Sequence, residues 1–389
     1  MRRLDAVAAI PYRDPWTVVL ADRLRRLAGG RRRVAYFYEQ ADNSTFRYRV
    51  YNMAQVLNDG SGDVSAAYFF HEDLAELDLI SELADRLVIC RTRWDDRVGR
   101  LIAAFRRLGK PVLYDIDDYV FDTRLVPTLV DTLDLDPADP RVWDDWFAYT
   151  SRLGTTLRQC DRAIATTPTL ARAMADFAGI PVSVAPNFLN VEQLEVSDRL
   201  FAATMQAPLG EDGLVHLGYF SGSPSHNKDF AIIAPALEAL LEQDESLGVV
   251  VVGYIEPGPG LTRFGRRVRR FPFQDYVNLQ RLIAAVEYNL MPLQHNVFTS
   301  AKSELKYFDA AVVGSVSIAS PTTTHASVIR HGENGYLAQA HQWQRVIREA
   351  LDDRPRYREL AQRAHDHARA VFGHEHQRET ILRALGLSG

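Results

Sequence analysis

The stretch "LVHLGYFSGSPSHNKDFAIIAPALEAL", residues 214–240, combines an apolar run, a small polar turn and a periodic segment. The run that ends at Phe220 predicts a buried strand, and Gly222 with Pro224 favours a tight turn. From Phe230 onward, apolar residues recur at the spacing of a core-facing helix. The stretch therefore predicts one strand–turn–helix unit of a parallel α/β sheet.

Similar units occur on both sides of this stretch. Strand candidates, separated mostly by helical patterns, are residues 33–38, 86–90, 111–117, 162–167, 181–187, 214–220, 247–255, 288–293, 315–320 and 334–339. A chain of 389 residues is too long for one ordinary core. We therefore predict an α/β protein with two Rossmann-like, doubly wound parallel-sheet domains that face a cleft.

The predicted boundaries follow from this series. They are an N-terminal domain over 1–190, a linker over 191–212 with one or two helical turns, a C-terminal domain over 213–370, and a C-terminal helix over 371–389 able to return to the N-terminal domain. Ligands of such sheets bind at the carboxyl ends of the strands, so the residues that follow strands are the candidates for a site.

The composition excludes some classes of function. Apolar residues make up 47% and charged residues 24% of the chain, and 45 basic against 50 acidic residues give a net charge of −5. This balance argues against a nucleic-acid binder that relies on phosphate contacts. Two basic runs, 23–33 and 263–270, indicate either solvated surface or attraction to an anionic membrane face.

Cysteine use and the N-terminus predict a compartment. Cys90 and Cys160 lie in apolar surroundings without nearby histidines, which predicts buried free thiols in a reducing environment. The first 15 residues make a poor signal peptide, because Asp5 and Pro11 interrupt them, and no apolar run is long enough to span a membrane. We expect a cytoplasmic protein, with peripheral contact at the inner membrane face as an open alternative.

Three lysines suggest an anion site in the second half. Lys228 precedes a helix start, where free N–H groups and a partial positive charge suit a diphosphate. Lys302, Lys306 and Asp309 have the spacing of one helix face, and lysines in the first turns of a helix are unfavourable unless an anion neutralises them. The alternatives are a solvated Lys228 near Asp229 and a surface pair between Lys306 and Asp309.

Charged residues also follow strands in the first half. Arg47 and Arg49 lie near the first turn of a predicted helix, which suggests either an anion or exposed charge. Asp115, Asp117 and Asp118 end a strand, where carboxylates can bind Mg²⁺, act as acid or base, or cap and solvate the loop.

Several of these segments together resemble a known family. "GYFSGSPSHNKDF" (218–230), "MPLQHNVFTSAKSELKYFDAAVVGSVSIAS" (291–320) and "IRHGENGYLA" (329–338) resemble the C-terminal domain of bacterial family 4-like glycosyltransferases with the GT-B fold. "ATTPTLARAM" and "VSVAPN", between 165 and 187, resemble the end of their N-terminal domain. The resemblance covers roughly 110–340. It implies a nucleotide-sugar bound mainly by the second domain, with no tightly bound cofactor and no metal needed for the donor.

The resemblance also implies residue roles in the donor site. Lys228 matches the lysine that binds the donor diphosphate, whereas the arginine expected six residues earlier is replaced by Gly222, and Lys302 could supply the missing charge. Asp309 matches the second acid of the family's E-x7-E pattern, which holds the ribose hydroxyls. The first acid falls on Ala301 or Asn296, with Glu304 as an alternative carboxylate.

On the acceptor side, Asp117 takes the place of a histidine that contacts sugar or acceptor, and Asp118 keeps the acid that follows it. The expected site is catalytic Asp117, Lys228 and Glu304; donor-binding Gly222, Ser223, Lys228, Asn296, Lys302, Ser303, Glu304, Lys306 and Asp309; acceptor or phosphate side Arg47, Arg49, Asp117 and Asp118; and no metal. Near the strand ends at 253–258 and 271–275, Phe271 or Phe273 could stack on a base or belong to the core.

The implied activity is transfer of a sugar from a nucleotide-diphosphate sugar to a hydroxyl of a glycan, lipid-linked or protein-linked acceptor. The family usually retains the anomeric configuration, and the expected setting is synthesis of bacterial surface polysaccharide or glycoconjugate. Two alternatives remain: a catalytically degenerate GT-B protein that binds a glycan or nucleotide, and a nucleotide-sugar 2-epimerase.

Overall fold

Two parallel sheets of six strands each form the framework of the molecule. The computed structural model describes residues 8–60, 62–222 and 226–388. The first sheet has the order β2-β1-β3-β4-β5-β6 and comprises β1 Arg32–Phe37, β2 Val64–Phe69, β3 Arg86–Cys90, β4 Val112–Ile116, β5 Arg162–Ala165 and β6 Val182–Val184. The second has the order β12-β11-β10-β7-β8-β9 and comprises β7 Val215–Ser221, β8 Leu247–Gly253, β9 Val268–Phe271, β10 Tyr288–Met291, β11 Val316–Ala319 and β12 Tyr336–Leu337.

Helices connect successive strands and flank both sheets. The α-helices are α1 Leu20–Ala28, α2 Asn52–Asn58, α3 Leu77–Leu83, α4 Asp96–Arg107, α5 Val126–Thr132, α6 Pro140–Arg158, α7 Pro168–Ala178, α8 Val191–Gln206, α9 Asn227–Gln243, α10 Pro259–Thr262, α11 Tyr276–Ala284, α12 Leu305–Ala311, α13 Thr323–Val328, α14 Trp343–Asp352, α15 Tyr357–Phe372 and α16 Arg378–Ala384. A π-helical turn, Arg47–Tyr51, precedes α2. Short 3₁₀ turns cover His71–Glu76, Thr123–Leu125, Gly265–Arg267, Thr299–Ala301, Arg354–Arg356 and His374–His376.

Continuous burial explains why these segments form central strands. Every residue of β8 is buried, as its run of four valines requires when helices cover both faces of a parallel sheet. Leu237 of α9, at the predicted core-facing spacing, is fully buried beside Val249 of β8 in one hydrophobic cluster. The two-sheet architecture confirms the predicted fold class.

The segment predicted as a linker with one or two turns is more regular than expected. Residues 191–206 form a 16-residue helix, α8, whose N-cap Asn190 accepts a hydrogen bond from the backbone N–H of Gln193. Leu194 and Val196 are buried, and α8 packs along α11. Burial of these side chains in two different hydrophobic clusters stabilises the helix over its length.

The C-terminal end of the chain lies against the first sheet. Helix α16 contacts α2 and β6, and Ile381 and Leu385 are buried in a cluster of the N-terminal half. Arg378 donates two hydrogen bonds to the backbone oxygens of Val56 and Leu57, each 2.9 Å. The last helix therefore ties the C-terminal half to the N-terminal half.

The cysteines and the basic runs have plain structural roles. Cys90 and Cys160 are both buried and free, as predicted. In the basic runs Arg23 pairs with Asp73, Arg33 with Asp85, Arg263 with Glu242, and Arg270 with Glu256. The pairs of Arg33, Arg263 and Arg270 are partly exposed and favour the interpretation as ordinary surface, whereas the pair of Arg23 with Asp73 is buried. No helix in the described ranges is long and apolar enough to cross a membrane.

Candidate active site

The carboxyl ends of the two sheets meet at a cleft. Thr167, which follows β5, donates a hydrogen bond of 3.1 Å to the backbone oxygen of Ala301. Asn187, which follows β6, donates one of 3.0 Å to the hydroxyl of Ser303. Residues 301–303 lie in the segment after β10, so strand ends of both sheets converge on it.

An acidic pair of the N-terminal half lies at this cleft. Nη1 of Arg91 lies 2.9 Å from Oδ1 of Asp117 and 3.2 Å from Oδ2 of Asp118. Thr45 donates a hydrogen bond of 2.7 Å to Oδ2 of Asp117, and Nζ of Lys302 lies 3.3 Å from Oδ1 of Asp118. Burial opposes ionisation of Asp118, but the charges of Lys302 and Arg91 outweigh it and lower its pKa to about 2.

Arg91 was missed by the sequence analysis. It directly follows β3 and has a φ of 38°, in the left-handed region that non-glycine residues rarely adopt. Its backbone N–H donates to the oxygen of Asp115, which fixes this conformation at the strand end. Its position directly after the predicted strand "RLVIC" could have identified it as a candidate site residue. The ion pairs of its guanidinium with Asp117 and Asp118 help to offset the cost of this strained conformation.

Arg49 does not face the cleft, contrary to expectation. Its Nε and Nη2 donate to the two oxygens of Asp115 at 2.7 and 2.8 Å, and Nη1 donates to Ala185 and Asn187. Both Arg49 and Asp115 are buried. The guanidinium is thus engaged inside the first domain, where it pairs with Asp115, whereas Asp117 and Asp118 pair with Arg91.

Arg47 is also buried, so its guanidinium is not exposed to an acceptor substrate in this arrangement. Its guanidinium carbon lies 3.9 Å from the ring centre of Tyr48 and 4.6 Å from that of Tyr276. Its Nη1 donates a hydrogen bond of 3.0 Å to Gln193. These contacts join the π-helical turn to α8 and α11, so Arg47 serves the contact between the two halves.

Asp309 is closed off by the N-terminal half and by α8. Its Oδ1 accepts a hydrogen bond of 2.6 Å from Gln193, and its Oδ2 accepts one of 3.0 Å from the hydroxyl of Tyr48. Burial raises its pKa. Asp309 therefore does not form the surface pair with Lys306, and in this arrangement each of its oxygens accepts a hydrogen bond from the N-terminal half or from α8.

Two lysines lie together beside the cleft. Lys306 is half-buried in the first turn of α12, with its Nζ 5.2 Å from the ring centre of Tyr219. Burial lowers its pKa to about 8, although the charge of Asp229 opposes this. The Nζ of Lys302 lies 4.5 Å from the ring centre of Phe298. Among the described residues Lys306 forms no ion pair, so the positive charge here is not fully compensated.

Lys228 lies at the start of α9, as predicted, and forms an ion pair across the two halves. Its Nζ lies 2.6 Å from Oδ1 of Asp131 on α5, and 38% of its side chain is exposed. Lys228 thus lies at the rim and pairs with the N-terminal half. Nearby, Asn296 donates a hydrogen bond of 2.8 Å to the hydroxyl of Thr132, which docks the end of α5 on the second domain.

Three candidate residues of the donor site remain: Glu304, Gly222 and Ser223. Glu304 is buried at the N-cap of α12, and burial raises its pKa to about 7. Gly222 is exposed, and no other described residue lies within 4 Å of the position that a Cβ would take. Ser223 lies outside the described residues. No group of three or more His, Cys, Asp or Glu side chains in the described ranges could hold a metal ion.

A histidine–carboxylate pair was also missed. Nδ1 of His226 lies 2.9 Å from Oδ2 of Asp229, and Oδ1 of Asp229 accepts a hydrogen bond of 2.9 Å from the backbone N–H of Gln294. Burial and the charge of Lys306 lower the pKa of His226 to about 4. The i, i+3 spacing in "SHNKDF" was the signal.

Two aromatic rings stand exposed near the ends of β8 and β9. The rings of Tyr254 and Phe273 lie 5.5 Å apart and are 48% and 47% exposed. Phe271 instead packs on a buried hydrophobic cluster. Of the two phenylalanines considered for base stacking, Phe273 is the exposed one.

Comparison with known proteins agrees with this architecture. HepE from Anabaena, solved with UDP and glucose, superposes with a TM-score of 0.62 at 14% identity over 91% of this chain and 99% of that one. Sucrose-phosphate synthase from Thermosynechococcus elongatus gives 0.56 at 14% identity over 92% and 98%. A point mutant of S. aureus TarM, solved with fondaparinux, alpha-GlcNAc-glycerol and UDP, gives 0.54 at 12% over 80% and 58%. Among curated proteins, none matches the sequence.

The fold and the matched domain together define a glycosyltransferase of the GT-B fold. Residues 215–353 match the family model of glycosyl transferases group 1. The C-terminal domain is therefore a group 1 glycosyltransferase domain, and the resemblance to family 4-like enzymes is confirmed.

Proposed function

We propose that this glycosyltransferase moves a sugar from a nucleotide-diphosphate sugar to a hydroxyl group of a glycan, lipid-linked or protein-linked acceptor. The observation that carries the proposal is the pair Lys302 and Lys306 at the cleft, where Lys306 has no ion-pair partner among the described residues. Half-buried cations are costly unless an anion neutralises them. The diphosphate of a donor supplies that anion.

The donor is proposed to be a UDP-sugar. HepE has been solved with UDP and with UDP-glucose, and TarM with UDP, which supports this choice by analogy of fold. The exposed ring of Phe273, beside Tyr254, offers a stacking surface for the base. No described residue crowds the Cβ position of Gly222, which supports approach of the diphosphate to the backbone there.

The proposed chemistry is mainly electrostatic. When the bond between the sugar and the diphosphate breaks, negative charge grows on the leaving phosphate, and Lys302 and Lys306 stabilise it. Asp117, held by Arg91 and Thr45, accepts a hydrogen bond from the acceptor hydroxyl. Glu304, with its raised pKa, contacts sugar hydroxyls as donor or acceptor. Retention of the anomeric configuration is proposed from the family resemblance.

The proposed setting is synthesis of bacterial surface polysaccharide or glycoconjugate on the cytoplasmic side. The buried free thiols fit a reducing compartment. We do not extend the proposal to membrane contact, because acidic partners neutralise arginines in both basic runs.

A thermal-shift screen against UDP-, GDP- and dTDP-sugars, followed by nucleotide-release assays over an acceptor panel, tests the proposal. A UDP-sugar should raise the melting temperature by mass action, and release should require an acceptor and persist in EDTA. Binding without release over the whole panel would favour the degenerate binding protein, which the replacement of the first acid by Ala301 or Asn296 also favours. Turnover of the donor alone would favour the 2-epimerase.

A further inference from the structure

His226 lies at the N-cap of α9, next to the lysines of the cleft. Only 14% of its side chain is exposed, and its Nδ1 is 2.9 Å from Oδ2 of Asp229. None of the roles proposed so far uses this histidine.

Asp229 determines which ring nitrogen carries the proton. Burial opposes ionisation of Asp229, but hydrogen bonds from His226 and from the backbone of Gln294 outweigh it and lower its pKa. An ionised carboxylate only accepts hydrogen bonds, so Nδ1 donates and the lone pair lies on Nε2. Among the described residues, Nε2 has no hydrogen-bond partner.

The environment keeps this imidazole neutral in the free protein. The charged and titratable groups that face His226 come from β7, α9, the first turn of α12, the segment before α12 and the N-terminal half: Tyr219, Asp229, Lys306, Lys302 and Asp118. Burial and the lysine charges disfavour the imidazolium, and Asp229 alone does not compensate. A bound diphosphate would reverse this balance, because it neutralises the lysines and itself attracts a cation.

We propose that His226 is a ligand of the donor diphosphate and takes up a proton when the diphosphate binds. The proton passes from solvent to Nε2, which then donates a hydrogen bond to a phosphate oxygen, and no other bond is made or broken in this step. Asp229 holds the ring and stabilises the imidazolium through Nδ1. His226 thereby adds a third cation beside Lys302 and Lys306. The inference rests on the proposed function, since it assigns the donor to this cleft.

Isothermal titration calorimetry with UDP-glucose tests the proposal. UDP-glucose is suitable because its diphosphate is esterified at both ends and does not titrate near neutral pH; the GDP- or dTDP-sugar replaces it if the thermal screen selects that donor. Titrations at pH 6.5 in buffers of different ionisation enthalpy measure the protons exchanged. Wild type should take up between about half a proton and one proton per donor.

Two variants and one control make the result specific. His226→Gln should lose the proton uptake and bind about tenfold more weakly, the size of one charge-assisted hydrogen bond. Asp229→Asn keeps the imidazole but loses its orientation, and should also bind more weakly. Glu304→Gln is the control for a second titrating group, because the pKa of Glu304 is about 7. It should bind the donor more weakly, since Glu304 is proposed to contact the sugar, but it should keep the proton uptake per donor bound.

The outcomes separate this inference from the proposed function. If wild type binds the donor without proton uptake, or if His226→Gln takes up as much as wild type, the role of His226 is overturned while donor binding stands. If wild type binds no nucleotide sugar, the proposed function itself is contradicted.

Discussion

Nζ of Lys302 lies 3.3 Å from Oδ1 of Asp118, so a lysine of the second domain is held by a carboxylate of the first. A second pair, Lys228 with Asp131, repeats this relationship at the rim. In both pairs a carboxylate of the first domain forms an ion pair with a lysine near the proposed donor site. We infer that Asp118 competes with the diphosphate for Lys302 and that donor binding requires this pair to break.

Replacing Asp118 tests the competition. Asp118→Asn should tighten donor binding by roughly three- to tenfold, because Lys302 no longer gives up a charged partner. Titration calorimetry with UDP-glucose at low salt measures the effect. Asp131→Asn is the matched control: its pair is more exposed and should change affinity less. Weaker donor binding by Asp118→Asn would contradict the competition and make Asp118 part of the donor site.

The pH dependence of donor affinity should reflect the ionisation of Lys306. Its pKa is about 8 in the free protein, so it is charged below that pH and progressively loses its charge above it. Affinity should therefore be flat with respect to this group below pH 8 and fall above it, by up to about tenfold per unit. In Lys306→Arg the guanidinium stays charged, and the decline should be absent. A decline of equal size in this variant would assign it to another group.

The buried pair of Arg49 and Asp115 should govern stability rather than catalysis. Arg49→Met leaves Asp115 without its partner and should lower the free energy of unfolding by about 3–5 kcal/mol. The double variant Arg49→Met with Asp115→Leu should recover part of that loss, because no unpaired charge is left buried. Denaturant unfolding measures both. If Arg49→Met were as stable as wild type but lost acceptor binding, the assignment of Arg49 as a structural residue would be wrong.

The sequence predicts structure correctly where the pattern within a single strand or helix is sufficient. The valine run of β8 and the apolar period of α9 predict a buried strand and a core-facing helix, and both are found. The position of Lys306 in the first turn of a helix also predicts a bound anion without any tertiary information, and this stays a prediction.

Residues whose role depends on a distant partner were not predictable in this way. Asp309 is engaged by Tyr48, which is 261 positions away, and Lys228 by Asp131, 97 positions away. Arg49 is charged and lies near a helix start, yet it is buried because it pairs with Asp115. The sequence shows that such residues are charged, whereas the packing between elements determines which residue each of them pairs with.

We propose that Lys306 binds the donor diphosphate whereas Lys228, which is partly exposed and pairs with Asp131, does not. The direct measurement is the rate of sugar transfer and the Kd for UDP-glucose of Lys306→Met beside Lys228→Met, two variants that remove the same charge and keep the side-chain stem. We predict that Lys306→Met loses about 10²-fold or more in transfer, the size of one lost leaving-group contact, whereas Lys228→Met loses less than about tenfold. The reverse order, or near-normal transfer by Lys306→Met, would contradict the account.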